Sequence, residues 1–331
     1  MKVYVRAPMS DKRLRELREI FKEVVYEPWN DTGERYYESE MLAHLLKVKP
    51  DILITELDRI TDKVLEGYNG LQVIGDCRAN PANIDINACT RYKIPVLCTP
   101  ARNCQAVAEM LVGLLINFMR NILPAAQWAK EGNWKEGTTP YYLWMGNELQ
   151  GKTVGFVGFG AVGHTAANLL KSFGCDILYY DPFVKVDEDA FRRVGLEDIF
   201  RFSDIVSIHL PVNASTRNMI DRKLLSLMKS TAIFVNTATS AVVDNDALLE
   251  ILKSNKILGA ILDVLPQEPP KAEEFNKFDL PNVLLTPHIC GASYEVTDHQ
   301  SDIIVDRLRN WMLKRDLERT VFNYKELEHD L

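Results

Sequence analysis

Residues 153–183 read TVGFVGFGAVGHTAANLLKSFGCDILYYDPF and combine four signals in a fixed order. An apolar strand pattern is followed by Gly158, Gly160 and Gly163, then by an Ala-rich helical pattern and a second apolar run. The second run ends at Asp181, 18 residues after Gly163. A G-x-G-x-x-G array alone is weak evidence, but in this context it predicts a dinucleotide-binding βαβ unit.

Each position of this unit has a physical purpose. The first glycine permits a tight turn, the second lets the backbone approach a pyrophosphate, and the third lets helix and strand pack closely. The pyrophosphate would lie at the helix N-terminus, beside Ala161 and Val162. Asp181 would accept hydrogen bonds from the ribose hydroxyls and repel a 2′-phosphate, which predicts NAD (NADH) in preference to NADP, with Lys185 softening that preference. The alternative is a glycine-rich turn in a flavodoxin-like sheet that binds no nucleotide.

Two series of apolar runs alternate with helical patterns along the chain. KVYVRA, DILITE, LQVIGD and IPVLCT form the first series, and six further runs, from TVGFVGFG to NVLLTPH, form the second. This alternation predicts two doubly wound α/β domains with parallel sheets, Rossmann-like or flavodoxin-like. A buried helix from Ala106 to Leu123 would link them. The predicted domains are 1–102 plus 296–331, which forms a substrate-binding lid, and 103–295, which binds NAD.

Composition excludes several classes of protein. The 331 residues carry 39 Lys and Arg against 46 Asp and Glu, a net charge of −7, so no basic surplus is present to neutralise nucleic-acid phosphates. No apolar run reaches the roughly 20 residues that span a bilayer, and the N-terminus has no signal-peptide core. Six cysteines occur without a C-x-x-C spacing. We expect a cytoplasmic protein that binds a small-molecule substrate, with no nucleic acid, no membrane and no metal.

Polar residues follow two further apolar runs. LDVLPQEPP contains Asp263 and Glu268, and LLTPHICGAS contains His288. Residues just after parallel strands meet at one edge of a sheet, so an imidazole and a carboxylate can pair there. The carboxylate favours the protonated ring, which can protonate a carbonyl oxygen as hydride arrives, and the neutral ring is the base in reverse. The alternative is that His288 caps a loop and Glu268 faces water.

With these motifs in place, the chain resembles the D-isomer-specific 2-hydroxyacid dehydrogenases over nearly its whole length. The resemblance rests on NIDINACTRYKIPVLCTPARNCQAVAE, the glycine fingerprint, SIHLPVNASTRNMID, VNTATSAVVDNDAL, LDVLPQEPP and TPHICGAS. It implies that Glu268 and His288 are catalytic, that Asp263 holds the nicotinamide carboxamide, that the active site lies in a cleft between the two domains, and that the protein is a homodimer. Further cofactor contacts are implied at His209, Pro211, Thr216, Thr237, Ala238 and His288.

One departure from the family concerns the residue after V-N-T-A, where the family has a catalytic arginine. This chain has Thr239. A guanidinium grips a carboxylate with a charged planar fork, whereas threonine offers one neutral hydroxyl, and an uncompensated loss would cut turnover by roughly thirtyfold to a few thousandfold. A second departure lies in residues 77–85, CRANPANID, where the family has a loop that holds the substrate carboxylate with backbone N–H groups. Pro81 in this loop has no N–H to donate. Arg78, Asn80, Arg102 and Thr239 are candidate substrate-binding residues, with Thr239 also at the catalytic position, and either arginine could replace the missing cation.

Two hypotheses remain open. In the first, the chain is an NAD-dependent dehydrogenase or reductase that acts on a 2-hydroxy or 2-keto acid, or a related carbonyl compound, with an atypical substrate because Thr239 replaces arginine. In the second, it is an NAD(H)-binding regulatory protein with vestigial catalysis. Retention of Glu268 and His288 favours the enzyme.

Overall fold

A computed structural model describes residues 1–186 and 190–329. It divides into two compact units, Met1–Arg102 with Ser293–Leu331 (unit 1) and Asn103–Ala292 (unit 2). The sequence placed the return to the first domain at residue 296, three residues later. Both positions lie at the start of the returning helix, Glu295–Met312. Each unit is α/β with a wholly parallel sheet, so the predicted fold class is confirmed.

The strands of the described chain are β1 Lys2–Val5, β2 Glu23–Tyr26, β3 Ile52–Thr55, β4 Val73–Asp76, β5 Val96–Leu97, β6 Thr153–Val157, β7 Asp176–Tyr180, β8 Phe191–Arg193, β9 Ile205–Ile208, β10 Ile233–Asn236, β11 Gly259–Leu262 and β12 Val283–Leu285. The helices are α1 Asp11–Ile20, α2 Trp29–Thr32, α3 Glu38–Val48, α4 Asp62–Gly67, α5 Ile86–Arg91, α6 Cys104–Met119, α7 Ile122–Lys130, α8 Pro140–Leu143, α9 Ala161–Ser172, α10 Leu196–Phe202, α11 Arg222–Ser226, α12 Asn245–Lys253, α13 Ala272–Phe278, α14 Glu295–Met312, α15 Leu317–Thr320 and α16 Tyr324–Leu327.

Unit 1 is a five-stranded sheet in the order β2-β1-β3-β4-β5, which is the flavodoxin-like order. Successive residues of β1 and β3 alternate between two apolar clusters, since Val3 and Ile52 belong to one and Tyr4 and Leu53 to the other. Helices therefore cover both faces of the sheet. The sequence analysis missed β2, which it absorbed into the preceding helical pattern. This edge strand is only partly buried and begins with a charged residue, so its apolar signal is weak.

Unit 2 is a seven-stranded sheet in the order β12-β11-β10-β9-β6-β7-β8. The order reverses between β6 and β9, which makes this position the topological switch point of a Rossmann fold. All six strands predicted for this part of the chain are present. The short strand β8, which contains Arg192 and Arg193, was missed because its charged residues hide the alternation.

The predicted helix from Ala106 to Leu123 is two helices. The first ends at Met119, Asn121 adopts a left-handed conformation, and the second helix begins at Ile122 with Pro124 in its first turn. Proline is tolerated there because first-turn N–H groups have no intrahelical acceptor. In the described chain no single helix is long and apolar enough to cross a membrane, although α6 and α7, bent by 61°, pass that test of length and composition as a pair.

Strand β4 ends in a buried carboxylate, Asp76, at the start of the loop that contains Arg78. One oxygen accepts a hydrogen bond from Asn83 Nδ2 at 3.4 Å, and the other has no partner among the described residues. Burial raises the pKa of Asp76 to about 8, although Asn83 and Arg78 act in the opposite direction. The folded chain therefore holds a proton that the unfolded chain releases.

Asp76 should make unit 1 less stable at alkaline pH. The folded state keeps the proton between the ordinary pKa of 3.8 and about 8, so the free energy of unfolding falls as the pH rises through that window. Asp76→Asn removes this titration and keeps an oxygen for Asn83. We expect the difference in melting temperature between the variant and the unmodified chain to be smallest near pH 3.8 and to favour the variant above pH 8. Thermal melts followed by circular dichroism measure this difference. An equal shift at every pH would contradict this account.

Candidate active site

The glycine loop between β6 and α9 has the shape that a dinucleotide requires. Gly158 has φ +91°, and a Cβ there would lie 2.5 Å from the carbonyl oxygen of His209. A Cβ on Gly163 would lie 2.6 Å from the carbonyl oxygen of Gly158. At Gly160, the N-cap of α9, a Cβ would meet nothing within 4 Å. The first and third glycines are therefore fixed by the protein's own packing, whereas the space at the second is open for a ligand.

Asp181 joins the glycine loop to the segment after β7. Oδ2 accepts the N–H of Phe159 at 2.8 Å, while Oδ1 accepts the N–H groups of Phe183 at 2.8 Å and Val184 at 2.9 Å. Burial alone would raise the pKa of Asp181, but these donors outweigh it and leave the pKa below its ordinary value. Arg193 Nη2 donates to the Asp181 carbonyl oxygen at 2.6 Å. A negative charge and a guanidinium thus lie together at the end of β7.

The other predicted cofactor residues of unit 2 lie on the same edge of the sheet. Ala161 and Val162 form the first turn of α9, and His209, Pro211 and Thr216 follow β9, while Thr237 and Ala238 follow β10. The buried Thr237 hydroxyl has no hydrogen-bond partner in the described chain. Burial lowers the pKa of His209 to about 4, so its ring is neutral and bonds to Ser207 Oγ at 2.8 Å. An unpartnered hydroxyl at this edge fits a polar ligand.

His288 and Glu268 form a hydrogen-bonded pair at the same edge. His288 Nδ1 lies 2.6 Å from Glu268 Oε2, and Glu268 Oε1 accepts the N–H of Leu265 at 3.0 Å. The His288 side chain remains 58% exposed. Because Nδ1 faces the carboxylate, Nε2 is the nitrogen that a substrate oxygen can reach. This geometry is the one that proton transfer through Nε2 requires.

Asp263 holds the loop that contains His288. Its Oδ1 accepts hydrogen bonds from the hydroxyl of Thr286 at 2.6 Å and from the N–H of Ile289 at 2.9 Å. Its Oδ2 accepts a hydrogen bond from the N–H of Cys290 at 2.8 Å. Between these residues His288 has φ +56°, a left-handed conformation that costs a non-glycine residue about 1–2 kcal/mol. The charged hydrogen bonds offset that cost. The carboxylate predicted to hold a carboxamide is therefore nearly enclosed, and it positions the catalytic loop.

Thr239 caps a short 3₁₀ turn, Ser240–Val242, after β10. Its hydroxyl accepts a hydrogen bond from the N–H of Ala241 at 3.4 Å, and its carbonyl oxygen accepts one from Asn236 Nδ2 at 3.0 Å. Asn245 bonds to Ser240 through Oδ1 and Nδ2. The turn is rigid, and Thr239 presents no charge to the site.

Two cavities adjoin the His288–Glu268 pair within unit 2. The polar cavity has a volume of about 330 Å³, and its lining residues are Arg217, Ala238, Thr239, Ser240, Ala241, Asn245, Val264, Leu265, Pro266, Glu268 and His288. The apolar cavity has a volume of about 560 Å³ and is lined mainly by Leu265, Pro269, Pro270, Phe275, Leu285 and Pro287, with Asp263, Glu268, Thr286 and His288. The pair thus faces one polar and one apolar environment.

The substrate-binding residues predicted in the first domain belong to unit 1. Arg102 Nη1 donates to Glu56 Oε1 at 2.6 Å and also to Gln300 Oε1. Arg102 therefore forms a salt bridge within unit 1. Arg78 is partly buried, and Asn80 is exposed. The neighbouring Pro81 is buried and donates no backbone hydrogen bond.

The sequence analysis missed Arg193 and Arg217. Arg193 lies in the missed strand β8, where no motif marks it. Arg217 lies in SIHLPVNASTRNMID, in the loop after β9, and the rule that ligands bind beyond strand ends could have found it. Within the described residues no group of three or more His, Cys, Asp or Glu side chains could hold a metal ion.

Comparison with known proteins agrees with this geometry. Residues 112–290 match the family described as D-isomer specific 2-hydroxyacid dehydrogenase, NAD binding domain. A Bacillus subtilis protein named "Putative 2-hydroxyacid dehydrogenase YoaD" is 43% identical over 330 residues, which are 99% of this chain and 96% of that protein. A glyoxylate reductase of Thermofilum pendens is 36% identical over 312 residues, 93% of this chain and 90% of that protein.

A solved structure shows the same architecture. An acyclic imino acid reductase in complex with NADPH and D-Arg matches with a TM-score of 0.80 and 27% identity, covering 97% of this chain and 100% of that one. The family match spans more than half of the chain, and the relatives align along almost all of it. The chain therefore belongs to the D-isomer specific 2-hydroxyacid dehydrogenases, oxidoreductases with an NAD-binding domain that act on a CH–OH group.

Proposed function

We propose that the chain transfers a hydride between NAD(H) and a small 2-keto or 2-hydroxy acid, or a related carbonyl compound, with His288 as the acid and base. The observation that carries this proposal is the 2.6 Å contact between His288 Nδ1 and Glu268 Oε2 beside an open polar cavity. The alternative, a regulatory NAD(H)-binding protein, does not require a paired histidine whose other nitrogen is available.

The residues divide the work of the reaction among them. In the reducing direction His288 donates the Nε2 proton to the carbonyl oxygen, and Glu268 stabilises the imidazolium before the transfer. Asp263 fixes the loop so that the ring keeps its orientation. The bound nicotinamide supplies or accepts the hydride. In the oxidising direction neutral His288 removes the hydroxyl proton.

Removal of His288 should separate catalysis from cofactor binding. We expect His288→Ala to lower kcat by at least about a hundredfold, a typical contribution of a general acid, and Glu268→Gln to give a smaller loss. The measurement is the loss of NADH absorbance across a panel of 2-keto acids, aldehydes and ketones, with the NADH dissociation constant determined by fluorescence. Unchanged turnover in His288→Ala would contradict the assigned role. Tight NADH binding with no turnover of any carbonyl by the unmodified chain would favour the regulatory alternative.

Three features at the edge of the unit 2 sheet support the binding of NAD there. The open space at Gly160, the dipole of the 12-residue helix α9 and the unpartnered Thr237 hydroxyl support a dinucleotide lying along this edge. Contacts from Gly158, Gly163, Asp181, His209, Pro211, Thr216, Ala238 and Asp263 remain part of the proposal.

The three glycines should respond differently to an added methyl group. In Gly160→Ala the methyl enters the space proposed for the pyrophosphate, so the chain should fold normally and bind NADH at least about tenfold more weakly. In Gly163→Ala the Cβ would lie 2.6 Å from a carbonyl oxygen, so this matched control should lose stability first. Thermal melts and fluorescence titration measure both effects. Unaltered NADH binding by Gly160→Ala would place the pyrophosphate elsewhere.

The preference for NAD over NADP belongs to the same proposal. The charged Asp181 carboxylate at the end of β7 opposes a 2′-phosphate, whereas Arg193, bonded to the Asp181 carbonyl oxygen, is a cation within the same segment. The related imino acid reductase was solved with NADPH, so cofactor choice varies between similar structures. We assign the larger effect to Asp181, because its carboxylate is fixed by three backbone donors.

Neutralising Asp181 should narrow the difference in kcat/KM between NADH and NADPH. We expect the unmodified chain to use NADH with a higher kcat/KM than NADPH, and Asp181→Asn to reduce that ratio by about tenfold, since it removes the charge and keeps one acceptor oxygen. Arg193→Ala is the paired variant and should shift the ratio towards NADH. Equal use of both cofactors by the unmodified chain would contradict the preference.

The substrate and the assembly state complete the proposal. With Thr239 in place of an arginine, the substrate is an atypical carbonyl compound or is bound by another cation. Arg78, Asn80 and Arg102 of unit 1 remain candidate substrate contacts. Exposed apolar side chains after α6, including Leu123, Tyr141, Tyr142 and Met145, support a homodimer. A cytoplasmic location is proposed from composition.

A further inference from the structure

The polar cavity next to His288 and Glu268 contains a cation that the assigned roles do not use, Arg217. We propose that Arg217 binds the carboxylate of a 2-keto acid in this cavity and thereby performs the task that the family gives to an arginine at position 239. The inference rests on the proposed hydride transfer, and it names both the anchoring residue and the substrate class.

The fold places Arg217 beside the Thr239 turn. The N–H of Asn218 donates to the Ala241 carbonyl oxygen at 3.0 Å, and the N–H of Ile220 donates to Val242 at 2.9 Å. The segment after Arg217 therefore lies alongside the 3₁₀ turn that Thr239 caps. Two different loops of the sequence thus line one cavity, and Arg217 lines it together with Thr239, where the family has its arginine.

The loop before Arg217 is also well ordered. Thr216 Oγ1 donates to the Pro211 carbonyl oxygen at 2.6 Å and accepts the N–H of Asn213 at 2.9 Å. Asn213 Oδ1 accepts the N–H groups of Ser215 at 2.8 Å and Thr216 at 3.2 Å. The N–H of Arg217 also donates to the Asn213 carbonyl oxygen at 3.1 Å, so the backbone that carries Arg217 is tied to this loop, which lowers the entropy cost of placing its guanidinium on an anion.

The charges of the cavity favour one anionic group. Apart from His288, Arg217 is the cationic residue among those that line it, and Glu268 is the acidic one. Glu268 bonds to His288 and to the Leu265 N–H, and no ion pair within the described chain involves Arg217. The neighbouring Arg222 pairs with Glu250, and Asp221 and Asp244 cap helices. A guanidinium without a carboxylate partner, in a cavity that also contains the catalytic acid, suits a carboxylate next to a carbonyl.

Binding of oxamate, a non-reducible analogue with a carboxylate beside a carbonyl group, tests the proposal without turnover. We expect the complex of the protein with NADH to bind oxamate, and Arg217→Ala to weaken that binding by about 10- to 150-fold, the range for a charge-assisted hydrogen bond. Oxamide, which is uncharged, should show no such loss. Arg222→Ala is the matched control, because it removes an exposed arginine that lines none of the cavities described above, and its oxamate affinity should be unchanged.

A second and stricter test moves the positive charge from position 217 to position 239. If Arg217 replaces the family arginine, Thr239→Arg in the Arg217→Ala background should restore oxamate binding and raise kcat/KM for pyruvate, with little effect on butane-2,3-dione, a neutral compound of similar shape. Arg217→Lys should keep part of the affinity, since a lysine retains the charge and loses the planar fork.

The outcomes separate this inference from the proposed function. Equal oxamate binding by the unmodified chain and Arg217→Ala would overturn the inference, as would a loss confined to Arg78→Ala or Arg102→Ala. Failure of the unmodified complex to bind oxamate at all would also overturn it, even if neutral carbonyls are reduced and the proposed function stands. Conversely, NADH binding without turnover would remove the proposed function, while the effect of Arg217→Ala on oxamate binding would still decide the role of Arg217.

Discussion

The site depends on the buried carboxylate of Asp263. It follows β11 and accepts three hydrogen bonds from the segment after β12, on both sides of His288. Those bonds hold His288 in a left-handed conformation and bring its Nδ1 within 2.6 Å of Glu268. Without Asp263 the N–H groups of this loop would lose their acceptor and the loop would relax towards solvent. The left-handed conformation of His288 and its pairing with Glu268 would then both be lost. The His288–Glu268 pair and the carboxylate that positions it all lie in unit 2.

Three carboxylates after parallel strands show how the number of donors decides the role of a buried acid. Asp263 and Asp181 each accept three hydrogen bonds through their two oxygens, and each fixes a loop at the cofactor edge. Asp76 at the end of β4 has one weak donor, and burial raises its pKa to about 8. The three backbone donors hold the pKa of Asp181 below its ordinary value, and the hydrogen bonds of both carboxylates fix loops around them. Asp76 keeps its proton, so it adds no negative charge beside Arg78 at neutral pH.

Much of this could be read from the sequence, because the signals were local. The glycine spacing, the apolar runs and Asp181 specify the Rossmann unit, and the E-P and T-P-H motifs specify Glu268 and His288. The edge strands β2 and β8 were missed because charged residues dilute their pattern, and the break at Asn121 was missed because an apolar run continues across it. The rule that ligands bind beyond strand ends could have marked Arg217 as a candidate, but its position beside the Thr239 turn depends on backbone hydrogen bonds that only the folded chain displays.

The central claim is that this chain moves a hydride to a carbonyl carbon with His288 as proton donor. The most direct measurement is the fate of deuterium from NADH that carries deuterium in both hydrogen positions on C4 of the nicotinamide, followed by mass spectrometry in a panel of 2-keto acids and neutral carbonyl compounds. The account predicts deuterium on the former carbonyl carbon of at least one product, and a large loss of that label in His288→Ala. Labelled NADH that binds and leaves no deuterium in any product would contradict it.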